Sequence, residues 1–356
     1  MRGEQRRQRT LLMVGSVEER IPAKHPIRQV KILADRALAD LGPRFDQMYS
    51  ASGRPSVPPE RLLKSQLLIA LFSVRSDRQF CEQLAYNLLF RWFLDLEMDE
   101  ESFDASTFSH NRERLIRHEV AEEFLAAVVR QARSAHLLSQ EHFSVDGTLI
   151  EAWASLKSFR PKDEPPGGDS NGWGDFKGSR RSNETHESKT DPESRLARKG
   201  NGQAAKLCFS AHALMENRHG LLLDLKVAAA TGRAECEQGL ELLRRLGRGR
   251  RKTIGADKGY DTAEFVAGCR QLKMTPHVAR KRKYSAINGR TSNRQGYQIS
   301  QVVRRRIEPI FGWLKEYGGL QRSRFRGVAR TQLTARLTAV AYNLLRLSRL
   351  IPAAST

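Results

Sequence analysis

Three carboxylates in this sequence stand where carboxylates are uncommon. Asp146 falls at the centre of an alternating stretch, HFSVDGTLIEAW. Asp257 closes a short strand-like run, TIGAD, and is followed by KGYD. Glu308 is the lone acid of QVVRRRIEPIFGWLK, next to a proline. Acids are disfavoured in strands, and ligands of open α/β sheets gather at the carboxyl ends of strands. The surroundings are cationic. From Arg244 to Arg330 there are 23 Lys and Arg against 5 Asp and Glu, so most of the chain's net charge of +21 lies in about a quarter of its length. A surface of one sign suits a polyanion held through its phosphates, whereas a merely solvated face mixes signs. Rigidly placed acids within such a surface suit metal-assisted phosphodiester chemistry. Mg²⁺ takes one or two carboxylates and keeps several waters, and a pair of such ions activates the attacking oxygen and stabilises the leaving one.

Each acid has a rival or a plainer explanation. Asp261 precedes a helix and has Glu264 three residues on, the spacing of a capping box, so it is read as a cap and Asp257 as the chemical residue. Glu151 falls at the end of the first strand and Asp224 inside the third; both remain weaker candidates. Glu308 could simply pair with Arg304 one turn earlier, an interaction worth a few tenths of a kcal/mol. On a helical wheel Val303, Ile307, Ile310, Phe311 and Leu314 form an apolar stripe. Gln301, Arg304, Glu308 and Lys315 lie beside it within roughly 60° of one another. Arg305, Arg306 and Trp313 point elsewhere, toward DNA on one reading; Trp313 packed under the final helix is the alternative. Pro309 removes the N–H that would bond to the Arg305 carbonyl, which predicts a bend just after Glu308.

Elements must hold these residues in place. Residues 1–138 read as helical, including RPSVPPERLLKSQLLIALFSV, SDRQFCEQLAYNLLFRWFLDL with Ser76 or Asp77 as N-cap, DASTFSHNRERLI, and EVAEEFLAAVVRQARSAHLL. Short helices around a polar, basic one fit a helix-turn-helix DNA reader; a bundle that braces the next domain is the alternative. Residues 139–350 read strand–strand–strand–helix–strand–helix–strand–helix, a mixed sheet flanked by helices. The stretch 155–203 shows no periodicity and is expected to be a long polar loop. Hydrophobic residues make up 39% of the 356 and charged ones 28%, as in globular proteins. No apolar run approaches the roughly 18–20 residues of a membrane span, and the N-terminal apolar patch is too short for a signal peptide. A cytoplasmic protein without a membrane partner is expected. Cys81, Cys208, Cys236 and Cys269 have no paired spacing, which argues against a zinc ribbon or a disulfide framework.

With SVDGTLIEAWAS, ADKGYD and RRRIEPIFGWLK in hand, together with THESKTDPESRLARKG before KLCFSAHALMEN and the terminal AYNLLRL, the chain resembles the bacterial insertion-sequence DDE transposases of the insertion-sequence-five kind. The resemblance implies an RNase H-like catalytic domain and a triad of Asp146, Asp257 and Glu308 that serves both as catalytic centre and as ligands of two Mg²⁺ ions, with Mn²⁺ able to substitute. It implies a bacterial, nucleoid-associated protein that binds the terminal inverted repeats of its element as a dimer on double-stranded DNA. Cleavage at the ends and transfer of the 3′-hydroxyl into target DNA follow. DNA contacts are expected at Lys258, Arg304, Arg305, Arg306, Trp313 and Lys315. The family's helix signature, Tyr-x2-Arg-x3-Glu-x6-Lys, is met by Arg304, Glu308 and Lys315, while Gln301 holds the tyrosine position. A copy that binds DNA without catalysis and a nuclease without strand transfer are the alternative readings.

Overall fold

The computed structural model describes residues 16–50, 52–53, 56–162, 181–200 and 202–351. The N-terminal part is helical: α1 (Val17–Arg20), α2 (Pro26–Ala39), α3 (Gly42–Met48), α4 (Pro59–Leu71), α5 (Asp77–Tyr86), α6 (Leu88–Phe93), α7 (Ala105–Arg117) and α8 (Val120–Ser134). Local chemistry sets their starts. Pro59 occupies the first position of α4, where its missing N–H costs nothing. The hydroxyl of Ser76 caps α5 by accepting from Gln79 N–H at 3.1 Å, and Asp104 caps α7 through Ser106 N–H at 2.7 Å.

The second part begins with β1 (His142–Glu151). Short strands β2 (Phe159–Pro161), β3 (His186–Ser188) and β4 (Arg195–Ala197) follow, then the long hairpin β5 (Lys206–Glu216) and β6 (Leu222–Ala229). Next come α9 (Ala234–Leu246), β7 (Thr253–Ala256), α10 (Ala263–Gln271), β8 (Thr275–Val278), α11 (Gly289–Ser292), α12 (Gln295–Val303), α13 (Ile307–Glu316) and α14 (Val328–Leu350). β4 and β6 both pair with β5, and the order then runs β5–β1–β7–β8. β5 runs antiparallel to both of its neighbours, β6 and β1, while β1, β7 and β8 are parallel. Three antiparallel strands followed by two parallel ones, with the first strand central, is the RNase H-like arrangement. β1 is covered on both faces. Phe143 and Val145 are buried with Leu240 and Leu243 of α9 and Phe265 of α10, whereas Ile150 joins the core built by α13, α14 and the N-terminal helices. α14 is shared. It packs on β6 and also on α2, α4 and α8, so the N-terminal helices brace the sheet through one continuous core.

Three local expectations need correction. The 155–203 stretch is not structureless. β2 and β3 form a two-stranded sheet and β4 extends the main one, although residues 163–180 of this stretch lie outside those described. Strands of three residues are too short to show a period. The stretch is also tied down, since Asp191 Oδ2 accepts from Gly327 N–H at 3.3 Å and Glu193 Oε2 from Val328 N–H at 2.8 Å at the start of α14. Asp261 is not a helix cap, because Thr262 caps α10 through Phe265 N–H. Asp261 instead accepts from Lys281 N–H at 2.7 Å and Ala286 N–H at 2.8 Å, pinning the loop that leaves β8. The helix irregularity lies before Glu308 rather than after it. Residues Arg304–Arg306 form a 3-10 turn between α12 and α13, the tighter winding that satisfies a ladder interrupted by Pro309.

Two buried imidazoles predict acid lability. Burial pushes the pKa of His212 down to about 4, with Lys226 adding to the effect, and that of His277 down to about 4, with His142 and Arg294 adding. Both stay neutral in the fold while the unfolded chain takes up protons near pH 6.5. Stability is therefore intact above that pH and is lost as pH falls from about 6.5 toward 4. Urea unfolding at pH 7 and pH 5 should show the loss, and His277→Phe should flatten it by about 1–2 kcal/mol. A His277→Phe profile as steep as wild type would refute this assignment.

Candidate active site

β1 and β7 run in parallel, with Ser144 beside Gly255, so their carboxyl-terminal halves bring Asp146 and Asp257 to the same region. Asp146 Oδ1 accepts from Gly147 N–H at 2.8 Å. Asp257 Oδ1 accepts from Gly259 N–H at 2.7 Å and so starts the 3-10 turn Lys258–Tyr260. That bond fixes the carboxylate at the strand end. Burial, with the negative charges of Asp257 and Glu235 adding to it, pushes the pKa of Asp146 up to about 7. The Gly147 N–H and the Arg304 guanidinium oppose the shift. Acids whose charges disfavour a neighbour's ionisation in this way are close to it and repel it.

Arg304 reaches this centre because the sheet lets α12 approach. A Cβ on Gly255 would lie 3.0 Å from Arg304 Cβ and 3.3 Å from both Ser144 Oγ and Ser300 Oγ. Gln301, at the tyrosine position of the signature, donates from Nε2 to His277 O at 2.6 Å and accepts from Arg304 Nε at 3.1 Å. It ties the arginine to the end of β8. Tyr297, one turn earlier, is buried and donates to Val278 O at 2.9 Å.

The other expected residues are placed as follows. Glu308 is exposed on α13, one turn beyond Arg304, with no hydrogen-bond or ion-pair partner among the described residues, so the pair with Arg304 is not made. Lys258 and Arg305 are exposed, and their side chains have no hydrogen-bond or ion-pair partner among the described residues. Lys315 is half-buried near Glu151, and its pKa is lowered by burial and by Lys199. Arg306 donates to Asn217 O at 2.7 Å, which fastens the 3-10 turn to the β5–β6 connection. Trp313 is half-buried, 5.5 Å from the Tyr342 ring of α14 and 6.2 Å from Tyr317; packing under the final helix describes it. The rivals are engaged elsewhere. Glu151 pairs with Lys206, and Asp224 pairs with Arg245 at 2.6 Å.

Sequence reasoning missed two residues here. Glu235, in the first turn of α9, raises the pKa of Asp146 and has its own raised by burial and by Asp257; an acid at a helix start looks ordinary in sequence. Tyr284 is 98% exposed with φ +57° at the tip of the Arg280–Lys283 basic run. The Asp261 bonds that hold this loop up are invisible without the fold. Among the described residues no three His, Cys, Asp or Glu converge closely enough to form a ready-made metal cage. The donors present nonetheless suit a hard divalent ion, which needs only one or two carboxylates beside its waters. Gly259 helps them. A Cβ there would fall 2.9 Å from both Asp257 Oδ1 and Glu235 Oε2, filling the space the two carboxylates share.

Residues 139–344 match the family described as "Transposase DDE domain". The chain belongs to that family. Residues 15–114 of the transposase match a second description, "Transposase domain (DUF772)". Solved structures similar to the transposase include a piggyBac transposase synaptic complex with hairpin DNA, at 11% identity over 92% of this chain and 76% of that one, with a TM-score of 0.41. A pre-cleavage Mos1 transpososome is 11% identical over 94% and 98% of the two chains, with a TM-score of 0.21. A Mos1 paired-end complex with the left transposon end is 10% identical over 83% and 82%, with a TM-score of 0.20. No helix among the described residues of the transposase is long and apolar enough to cross a membrane.

Proposed function

We propose that this transposase binds the terminal inverted repeats of its own element, cuts the DNA there and joins the freed 3′-hydroxyl to target DNA. The observation that carries the reading is the approach of Asp146 and Asp257 at the carboxyl ends of adjacent parallel strands, with Arg304 set against them from α12. Asp146 and Asp257 would hold the divalent cation, Mg²⁺ or Mn²⁺, and Glu308 of α13 would be recruited as a third ligand. When bound, the metal supplies charge stabilisation at the phosphate and an activated oxygen nucleophile. The chain's own residues do the rest. Lys258, Arg304, Arg305 and Lys315 hold phosphates across the acids. The Arg306 bond to Asn217 and the Gln301 bridge fix the helix segment on which Arg304 and Glu308 ride, so the charges arrive pre-aligned. Two ends must be handled together, which calls for a dimer on DNA. A bacterial nucleoid is the natural setting for such a protein.

The test uses a plasmid that carries the gene's own flanking DNA. With Mn²⁺ or Mg²⁺, purified protein should nick the flanks at a fixed position and join the released 3′ ends to a second plasmid; EDTA should abolish both. Nicking without joined product would leave only a nuclease, and salt-dependent binding without nicking would leave only a DNA-binding protein.

A further inference from the structure

The geometry points to Glu235 as a further metal ligand of this centre, facing Asp257 across the Gly259 notch. The inference rests on the proposed catalytic reading and adds a residue that the Asp146, Asp257 and Glu308 set does not contain. The plainest account of Glu235 is favourable interaction with the N-terminus of α9. That account leaves its orientation unexplained. Solvent reaches Glu235, yet its side chain lies along the strand ends, with Cγ 3.6 Å from a Cβ position on Gly147 and Oε2 2.9 Å from one on Gly259. Asp257 Oδ1 lies 2.9 Å from that same Gly259 point. Two carboxylates that face each other over a glycine repel unless a cation stands with them. Glu235 has no hydrogen-bond or ion-pair partner among the described residues, so no lysine or arginine supplies that cation.

A second observation points the same way. Tyr260 is fully buried, its ring 4.9 Å from that of Phe265 and pressed under Gly239, and its hydroxyl has no hydrogen-bond partner among the described residues. The charges that act most on that hydroxyl are Asp146, Glu235 and Asp257, in that order. A buried hydroxyl without a partner is unfavourable. One lying near three acids could donate to an oxygen held among them, such as a water of the ion's hydration shell. Mg²⁺ and Mn²⁺ bind with waters retained, so the hydroxyl and the notch describe one site. Glycine at 259 is required by space rather than by its backbone angles, since any side chain would enter the gap between the two carboxylates.

The experiment measures Mn²⁺ binding to the full-length protein without DNA, by electron paramagnetic resonance of the free ion. Wild type, Glu235→Gln, Glu235→Asp, Gly259→Ala and Asp257→Asn are compared at matched melting temperature. Glu235→Gln should weaken Mn²⁺ at least about 10-fold, as loss of one charged ligand from a small set does, and Glu235→Asp should recover part of the loss. Gly259→Ala keeps every acid and should also weaken the ion, which guards against a folding defect in the Glu235 variants. Wild-type affinity in both Glu235→Gln and Gly259→Ala, with affinity lost in Asp257→Asn, would overturn the role of Glu235 alone. Wild-type affinity in Asp257→Asn as well would overturn the metal centre itself.

Discussion

Asp257→Asn protein should bind element-end DNA with unchanged affinity and salt dependence, yet cut it at least about 10³-fold more slowly, a loss of roughly 4 kcal/mol of transition-state stabilisation. The substitution separates structure from charge. Asp257 Oδ1 accepts from Gly259 N–H at 2.7 Å to start the 3-10 turn, and an asparagine carbonyl can accept the same bond, so the turn and the β7 edge survive. What disappears is one of the two hard anionic donors that meet at the strand ends. DNA affinity in a protein this basic comes from counterion release by its lysines and arginines, and Asp257 contributes nothing to that. A filter-binding salt titration beside a cleavage time course in Mn²⁺ would check both halves. Cleavage at the wild-type rate would remove Asp257 from the metal set, while a fall in DNA affinity would mean that the turn, and not the charge, had been lost.

The second large effect concerns folding. Glu216→Ala should destabilise the protein by about 4 kcal/mol or more. Glu216 ends β5, is fully buried, and accepts four backbone N–H groups: Ser139 at 3.1 Å, Arg218 at 2.9 Å, His219 at 2.8 Å and Leu221 at 3.1 Å. One carboxylate thus organises the whole β5–β6 turn, including Gly220 with φ +71°, and fastens it to the segment that enters β1. Removing it orphans four donors, each worth about 1–3 kcal/mol when buried and unpaired, and water entering the cavity recovers only part. Glu216→Gln should also be harmful, because its amide NH₂ must face N–H groups. Urea denaturation of both variants measures the cost, and a loss below about 1 kcal/mol for Glu216→Ala would show that the turn is held by other means.

Much of this molecule can be read from its sequence, and the gaps have physical reasons. Alternation in HFSVDGTLIEAW, the two apolar runs around Arg218–Gly220 and the amphipathic AECEQGLELLRRL give β1, β5, β6 and α9, because burial against one face imposes a period. The mixed sheet flanked by helices follows from that order, whereas its RNase H-like form comes with the resemblance to the insertion-sequence transposases. The apolar stripe of Ile307, Ile310, Phe311 and Leu314 is buried as its spacing requires. Pairings across the sequence are the part that cannot be read. Asp261 and Glu264 satisfy the spacing of a capping box, but which atoms accept the two loop N–H groups depends on where residues 281 and 286 come to lie. Glu235 looks like any first-turn acid until β1 and β7 bring Asp146 and Asp257 alongside it. Arg306 reads as a free cation until the β5–β6 turn presents the Asn217 carbonyl. Trp313 had two readings from sequence, and only its packing against Tyr342 separates them.

The position of α14 in the core has a consequence for synthesis. Its residues Leu333, Leu337, Leu344 and Leu347 are buried in the same core as Leu63, Leu67 and Leu68 of α4 and as Val30 and Leu33 of α2. α2 and α4 come well before α14 in the chain, so during synthesis their core stays open on one side until α14 has been made. A chain cut short by a stop codon before residue 328 therefore leaves α2, α4 and α8 with an uncovered apolar face. Such fragments should be prone to aggregation and proteolysis.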